Sequence, residues 1–231
     1  SKLGEKVGVS ESTVVRFANM LGYDGYPKLQ KALQELIRNK LTTLQRIEMT
    51  SDLDESTLLK SVLKADMNNI RLTLEEVNKE AFDGVVESIF SARNIYILGL
   101  RSAAPLAQFM GYYLSFMFDN IRLVTSGIND ILEQLVHVSP KDLLIGISFP
   151  RYARRTVEAM AFSKSKGAKT VAITDTILSP LTSYADYILL ARSDMASFVD
   201  SLVAPLSLIN ALIVAVGLKK KPGVSSDFME L

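Results

Sequence analysis

The sequence predicts an α/β fold, a doubly wound sheet of five parallel strands, preceded by a small all-α module. Three observations carry this. From Asn94 onward short β-rich runs recur: "NIYILGL", "IRLVTS", "DLLIGIS", "KTVAIT" and "DYILLA". The stretches between them are each long enough for a crossover helix, which parallel neighbours require. Ahead of them, the first forty residues place apolar side chains at helical spacing and break that spacing at Gly8, Val9 and Ser10.

In the N-terminal module, Leu3, Val7, Val14, Phe17 and Leu21 are spaced for two short helices joined by a tight turn. Gly8 supplies the positive φ that such a turn needs, Val9 plugs the space between the helices, Ser10 N-caps the second helix, and small Gly4 lets the two approach closely. This is the helix-turn-helix pattern, in which the second helix enters the major groove of DNA. The exposed face of that helix then carries Glu11, Ser12, Thr13, Arg16 and Asn19. Lys2, Lys6, Arg16, Lys28, Lys31, Arg38 and Lys40 stand against Glu5, Glu11, Asp24 and Glu35, so residues 1–40 carry a net charge of +3. That is a modest phosphate-binding footprint. The alternative is an ordinary helical hairpin with a solvated polar face. After the turn "GYDG", Pro27 opens a further amphipathic helix.

Residues Ile47 to Asp54 are polar and aperiodic and read as a linker. The expected organisation is a helix-turn-helix domain over 1–46, a linker over 47–55 and the α/β domain over 56–231. Leu58, Leu59, Val62, Leu63, Met67, Ile70, Leu74 and Val77 predict a long amphipathic helix, and Phe82, Val85, Val86 and Ile89 a second. Beyond Asn94 the sheet begins, and ligands of such sheets sit beyond the carboxyl ends of the strands, near a topological switch point. The loops "GLRSAA", "TSGIND", "SFPRYARR" and "TDTILSPL" fall there.

The last apolar segment, "LVAPLSLINALIVAVGLKKK", is interrupted by Pro205, Ser207 and Asn210, and its unbroken part is shorter than the roughly 20 residues a bilayer needs. It reads as a buried or subunit-contacting helix whose last turn is balanced by Lys219, Lys220 and Lys221, and no membrane partner is expected. Composition sets further limits. The chain has 231 residues, 48% of them hydrophobic, enough for a real core. With 26 basic and 25 acidic residues, any affinity for nucleic acid must come from a local patch. The absence of cysteine excludes disulfides, thiolate metal sites and cysteine nucleophiles. No metal-ligand cluster or nucleophile triad stands out, so no metal and no cofactor are expected. The start of the chain carries no signal-sequence pattern, and the cytoplasm is the expected compartment.

The stretch "GVSESTVVRFANMLGYDGYPKLQKAL" resembles the N-terminal domain of the RpiR/MurR family of bacterial transcriptional regulators, which join it to a sugar isomerase (SIS) domain. The resemblance covers nearly the whole chain. The family's DNA-binding domain has another helix ahead of residue 1, so the module is expected to be truncated at its N-terminus. "ILGLRSAA" matches the first SIS loop, placing Ser102 at a serine that contacts sugar or phosphate in the family. "AITDTILSPLTSYADYILL" matches the last strands, with Ser179, Pro180 and Asp186 on the family pattern. Family members commonly show Ser-x-Ser-Gly-x-Thr after the third strand, where hydroxyls and amides hold phosphate. Aligned without gaps, this chain keeps Ser148 but has Pro150, Arg151 and Ala153 at the other three positions.

That departure poses a question about ligand. Pro150 removes an amide donor and Arg151 places a side chain where glycine allows close approach. Arg151, Arg154 and Arg155, with Arg101 from the first loop, can replace the lost cradle with charge, since guanidinium groups grip phosphate or carboxylate bidentately. The competing reading leaves these arginines solvated or paired with carboxylates across a dimer interface. An aldose–ketose isomerase would need a positioned base; His137 reads as structural, Glu133 stands alone on a helix, and Glu158 reads as a carboxylate favouring a helix start.

The expectation is therefore a cytoplasmic, homodimeric or homotetrameric regulator, not an enzyme, that binds operator DNA and an anionic metabolite, a phosphorylated sugar or a sugar acid. Effector contacts are expected from Arg101, Ser102, Ser148, Arg151, Arg154, Arg155 and Ser179. Base contacts are expected from Ser12, Thr13 and Arg16, and DNA-phosphate contacts from Ser10 and Lys28. Two alternatives stay open: an SIS-type phosphosugar isomerase, and a DNA-binding protein whose SIS domain only dimerises.

Overall fold

A computed structural model describes residues 7–30, 32–33, 45, 55–125, 130–195 and 199–220. Leu3 and Gly4 of the expected first helix, the charges at 2, 5, 6, 31, 35, 38 and 40, the linker 47–54, most of "TSGIND" and Lys221 lie outside them. The chain divides into two compact units, Ser1–Asp52 and Leu53–Leu231.

In the first unit, helix α1 spans Glu11–Met20. Gly8 precedes it with φ +70°, the left-handed conformation a sharp turn requires. Ser10 caps it, its Oγ accepting from the Thr13 amide at 3.2 Å. A further helix begins at residue 26, so Pro27 is its second residue rather than its first. The buried residues are Val14, Ala18 and Leu29, whereas Val7, Val9, Phe17 and Leu21 are exposed. The expected stripe is therefore shifted. Ala18, which apolar spacing overlooks because it is small, is buried where Phe17 was expected.

The second unit opens with α2 (Glu55–Glu76) and α3 (Lys79–Ser91). Asn78 separates them, its Oδ1 capping the Ala81 amide at 2.9 Å. Strands β1 (Ile95–Gly99), β2 (Ile121–Val124), β3 (Leu143–Ile147), β4 (Lys169–Thr174) and β5 (Tyr187–Leu190) follow, and all four pairings are parallel. Their order, β2-β1-β3-β4-β5, is the flavodoxin-like doubly wound order. Helix α4 (Ala104–Ser115) crosses from β1 to β2 and α6 (Arg154–Ser165) from β3 to β4. The other two crossings are slighter than expected: α5 (Ile131–Gln134) has four residues, and β4 reaches β5 through only a 3₁₀ turn at Thr182–Tyr184. Pro180 and the Ser179 turn interrupt that stretch.

Alternation along the strands builds two cores. Ile95, Ile97, Leu143, Ile145, Ile147, Val171 and Ile173 face one side, against α3, α4 and the C-terminal helix α7 (Val203–Lys220). Tyr96, Leu98, Leu144 and Ala172 face the other, against α6. Helix α7 is long and apolar enough to cross a membrane by length and composition, but here it lays Leu208, Ile209, Leu212 and Val216 into the first core. Its lysines reach α3 and the aromatic rings beside it. Lys219 pairs with Glu87 and lies over Phe90, and Lys220 lies over Phe118, 4.1 Å from the ring centre.

The face of α2 is inverted relative to ordinary burial. Leu59, Met67 and Leu74 are 72%, 69% and 73% exposed and Leu63 is also exposed, while Asn69 and Thr73 are buried. The predicted amphipathic helix exists, but its apolar side faces outward.

At the amino end of the sheet the carboxylate of Asp142 is fully buried and saturated. It accepts from Arg93 Nε at 3.0 Å and Nη2 at 2.8 Å, from the amide and side chain of Asn94, and from the amide and hydroxyl of Ser139. Burial pushes its carboxyl up, but the Arg93, Asn94 and Ser139 bonds outweigh this and hold it at about 2. An unfolded aspartate titrates near 4, so the unfolded chain takes up the proton first. About 2 kcal/mol of stability, fully present above pH ~4, is therefore lost as pH falls towards 2. Asp142→Asn should cost about 3 kcal/mol at neutral pH and flatten the acid limb of a denaturant-stability profile between pH 4 and 2.

Candidate functional site

In this strand order the connections from β1 and β3 leave to opposite faces of the sheet, and the crevice between their carboxyl ends is where ligands of such folds bind. Both loops there are built on unusual backbone. Strand β1 ends at Gly99, where a Cβ would meet the Ala103 carbonyl oxygen at 2.6 Å and Ala107 Cβ at 2.8 Å, so the chain turns back tightly into α4. In that turn Arg101 has φ +55°, and after β3 Arg151 has φ +66°. They are the two non-glycine residues with positive φ among those described. Such strain in a long side chain, about 1–3 kcal/mol each, clusters at functional sites. Arg151 occupies the glycine position of the gapless alignment, so the loop keeps a conformation natural to glycine while carrying a guanidinium.

The expected effector residues separate into distinct surroundings. Arg101 and Ser102 are exposed, and Arg101 makes no ion pair among the described residues. Ser148 is buried, and its Oγ accepts from the Ala153 amide at 3.3 Å, closing the loop on itself. Arg151 pairs with Asp200 at 3.0 Å. Arg154, its side chain 91% exposed, pairs with Glu158 one turn on at 2.8 Å. Arg155 grips Asp130 with both terminal nitrogens, at 3.0 and 3.3 Å. Each arginine of the β3–α6 loop thus has an intramolecular carboxylate partner. Ala153, at the N-cap of α6, offers no side-chain cap, leaving the first amides of that helix for solvent or an anion. Glu158 is spent on Arg154 and Arg155, and Glu133 and His137 are exposed beside α5.

Ser179 is buried in the β4–β5 connection, near the Tyr152 hydroxyl. That hydroxyl donates to Asp175 Oδ1 at 2.8 Å, which also accepts from Thr174 Oγ1 at 3.2 Å. Burial pushes the Asp175 carboxyl up against these bonds. Burial first, and then Asp175, push the Tyr152 phenol up as well, which fixes it as a neutral donor. Sequence reading passed over Tyr152, Asp175 and Asp200. The signal for Asp175 was its place directly after the buried strand "KTVAIT"; nothing local marks Asp200.

In the first unit the Ser10 hydroxyl bonds those of Ser12 and Thr13, each at 2.8 Å, and Arg16 is exposed. Asn19 is not a free reader, since its Oδ1 accepts from the Gly25 amide at 3.1 Å and fixes the next turn. Lys28 pairs with Asp24 at 2.9 Å.

The SIS domain family matches residues 88–215, and the helix-turn-helix domain of the rpiR family matches residues 1–40. The chain belongs to the RpiR family of SIS-domain proteins. An uncharacterised HTH-type transcriptional regulator of Haemophilus influenzae is 28% identical to this RpiR-family chain over 193 residues, covering 82% of the chain and 66% of the relative. The chain thus spans just under two thirds of that relative's length. The sugar isomerase domain of an RpiR transcription factor from Sphaerobacter thermophilus superposes with a TM-score of 0.72 at 29% identity, covering 75% of this chain and 97% of that one. Vibrio vulnificus NanR, complexed with ManNAc-6P, shares the fold at a TM-score of 0.64 and 19% identity, covering 99% and 82%.

Because Arg151 combines a left-handed backbone with an ion pair, two substitutions separate the effects. Arg151→Ala should lose both the pair and backbone comfort, and Arg151→Gly should recover about 1 kcal/mol of that loss, read as a difference in urea midpoints.

Proposed function

We propose that this RpiR-family protein is a cytoplasmic transcriptional regulator whose SIS domain senses a small anionic metabolite, a phosphorylated sugar before a sugar acid, and so alters operator binding by the helix-turn-helix unit. The observation that carries the reading is the pair of left-handed arginines, Arg101 and Arg151, on the two loops flanking the switch point, beside the uncapped start of α6. Cation, free amides and helix dipole are together what a phosphate monoester requires. The fold is one in which NanR holds ManNAc-6P, and the Haemophilus relative is named a transcriptional regulator, which favours sensing over turnover. Homodimers or tetramers are supported by the outward apolar side of α2 and by exposed Tyr112 and Tyr113 on α4, and paired helix-turn-helix units read two half-sites. In this scheme Ser12, Thr13 and Arg16 meet bases, and Ser10 and Lys28 meet DNA phosphates.

A second reading, in which the SIS domain only dimerises, is favoured by the internal partners of Arg154 and Arg155. Thermal denaturation with a panel of sugar phosphates, sugar acids and dicarboxylates separates the two. A specific ligand at 100 times its Kd should stabilise the protein by about 2.7 kcal/mol, and the shift should vanish in Arg101→Ala/Arg151→Ala. A flat panel supports the dimer-only reading. On the DNA side, operators selected from random duplexes should show relaxed base preference with Arg16→Ala, while Lys28→Ala should weaken every duplex alike and reduce the salt slope by about one.

A further inference from the structure

We propose that Asp200 is a built-in competitor for the effector anion: its carboxylate holds the Arg151 guanidinium until a phosphate monoester displaces it, and its release loosens α2, the helix that follows the DNA-binding unit in the chain. The proposal rests on the reading of the β3–α6 loop as the anion site. Chemically, Asp200 offers Arg151 what the ligand would offer, an oxyanion at 3.0 Å. The guanidinium is 40% exposed, within reach of a ligand from solvent, while the carboxylate is nearly buried. Arg151 is held in a left-handed conformation, a strain that release from Asp200 would let the loop relieve. An anion that binds only the released guanidinium has the differential affinity that a switch requires.

The neighbour of Asp200 carries the change onward. Ser201 Oγ donates to Asp66 of α2 at 2.6 Å and accepts from the Val203 amide, at the start of α7, at 3.4 Å. Two further links tie the same side of α2 to the segment after β5. Asn69 Nδ2 donates to the Asp194 carbonyl at 2.9 Å, and the Arg192 amide donates to Thr73 Oγ1 at 2.9 Å. Arg192 also pairs with Glu76. These contacts are polar and individually weak, and the large apolar residues Leu59, Leu63, Met67 and Leu74 of α2 point away from them. Helix α2 also packs along α7, but none of its large apolar residues is fully buried, and a helix so held shifts more readily than one whose apolar face is packed. Helix α2 begins at Glu55, three residues beyond the end of the first unit at Asp52, so its movement is delivered to the DNA-binding unit through the chain itself.

The test pairs two measurements on wild type, Asp200→Asn and Arg151→Gln. Without ligand, hydrogen–deuterium exchange at residues 62–70 of α2 should rise in both variants, while the amides of β1 and β3 stay as protected as in wild type. In calorimetric titrations with ManNAc-6P, glucose 6-phosphate and inorganic phosphate, Asp200→Asn should lower Kd about three- to tenfold, and Arg151→Gln should abolish binding. Unchanged exchange in α2, or exchange that rises equally in the strands, overturns the relay whatever binds. Binding by wild type that Asp200→Asn fails to strengthen overturns the competition and leaves the effector reading intact. Loosened α2 with no binding by wild type or Asp200→Asn removes the effector reading and with it the competition, reducing the ion pair to a clamp.

Discussion

Asp142 is a charge placed where water cannot reach it, and the central strands of the sheet depend on how it is satisfied. Its six hydrogen bonds join the turn before β3 to the residues that lead into β1, fixing the register of the central pair, with Ile95 opposite Leu143. A one-residue slip would orphan the carboxylate and turn Ile145 and Ile147 to the wrong face. The same end of the sheet repeats the device at its margin, where Asp186 accepts from the amide and hydroxyl of Thr170 and pairs with Lys164. Carboxylates thus anchor the amino end of the sheet.

The carboxyl end differs in exposure, since its guanidinium groups are paired where solvent reaches them. Arg151 reaches Asp200, Arg155 reaches Asp130, and Tyr152 reaches Asp175. Ser148, closed on the Ala153 amide, and the Tyr152–Asp175 pair are at least partly buried, while the guanidinium groups lie partly in water. Satisfied polar groups beside partly solvated charge are what a receptor for a small anion combines.

What was legible in the sequence follows from how each feature is encoded. The five strands could be read because parallel strands covered on both faces are written as unbroken apolar runs, and the cap at Ser10 because capping is local. The direction faced by α2 was not legible: periodicity reports that an apolar side exists, not whether this chain or another covers it. Phe17 was misplaced because hydrophobicity outranks size in a spacing argument, yet Ala18 is what the close turn admits. The arginine cluster was visible as composition, and Glu158 lies one turn on from Arg154, but occupancy by Asp200 and Asp130 depends on tertiary neighbours that no window of sequence contains. Tyr152 stands unread within that cluster because the partner that gives it meaning, Asp175, lies beyond the end of the next strand.

The inverted face of α2 has a consequence for the cell as well as for the fold. Leu59, Leu63, Met67 and Leu74 in water leave a single chain with unrelieved apolar hydration, roughly 25 cal/mol for each Å² that another surface could cover. If a second copy of the chain is what covers this face, mass action protects it better when many copies are present than when few are. Abundance would then be a variable that the protein itself reads, with thinly expressed chains left open to aggregation and proteolysis.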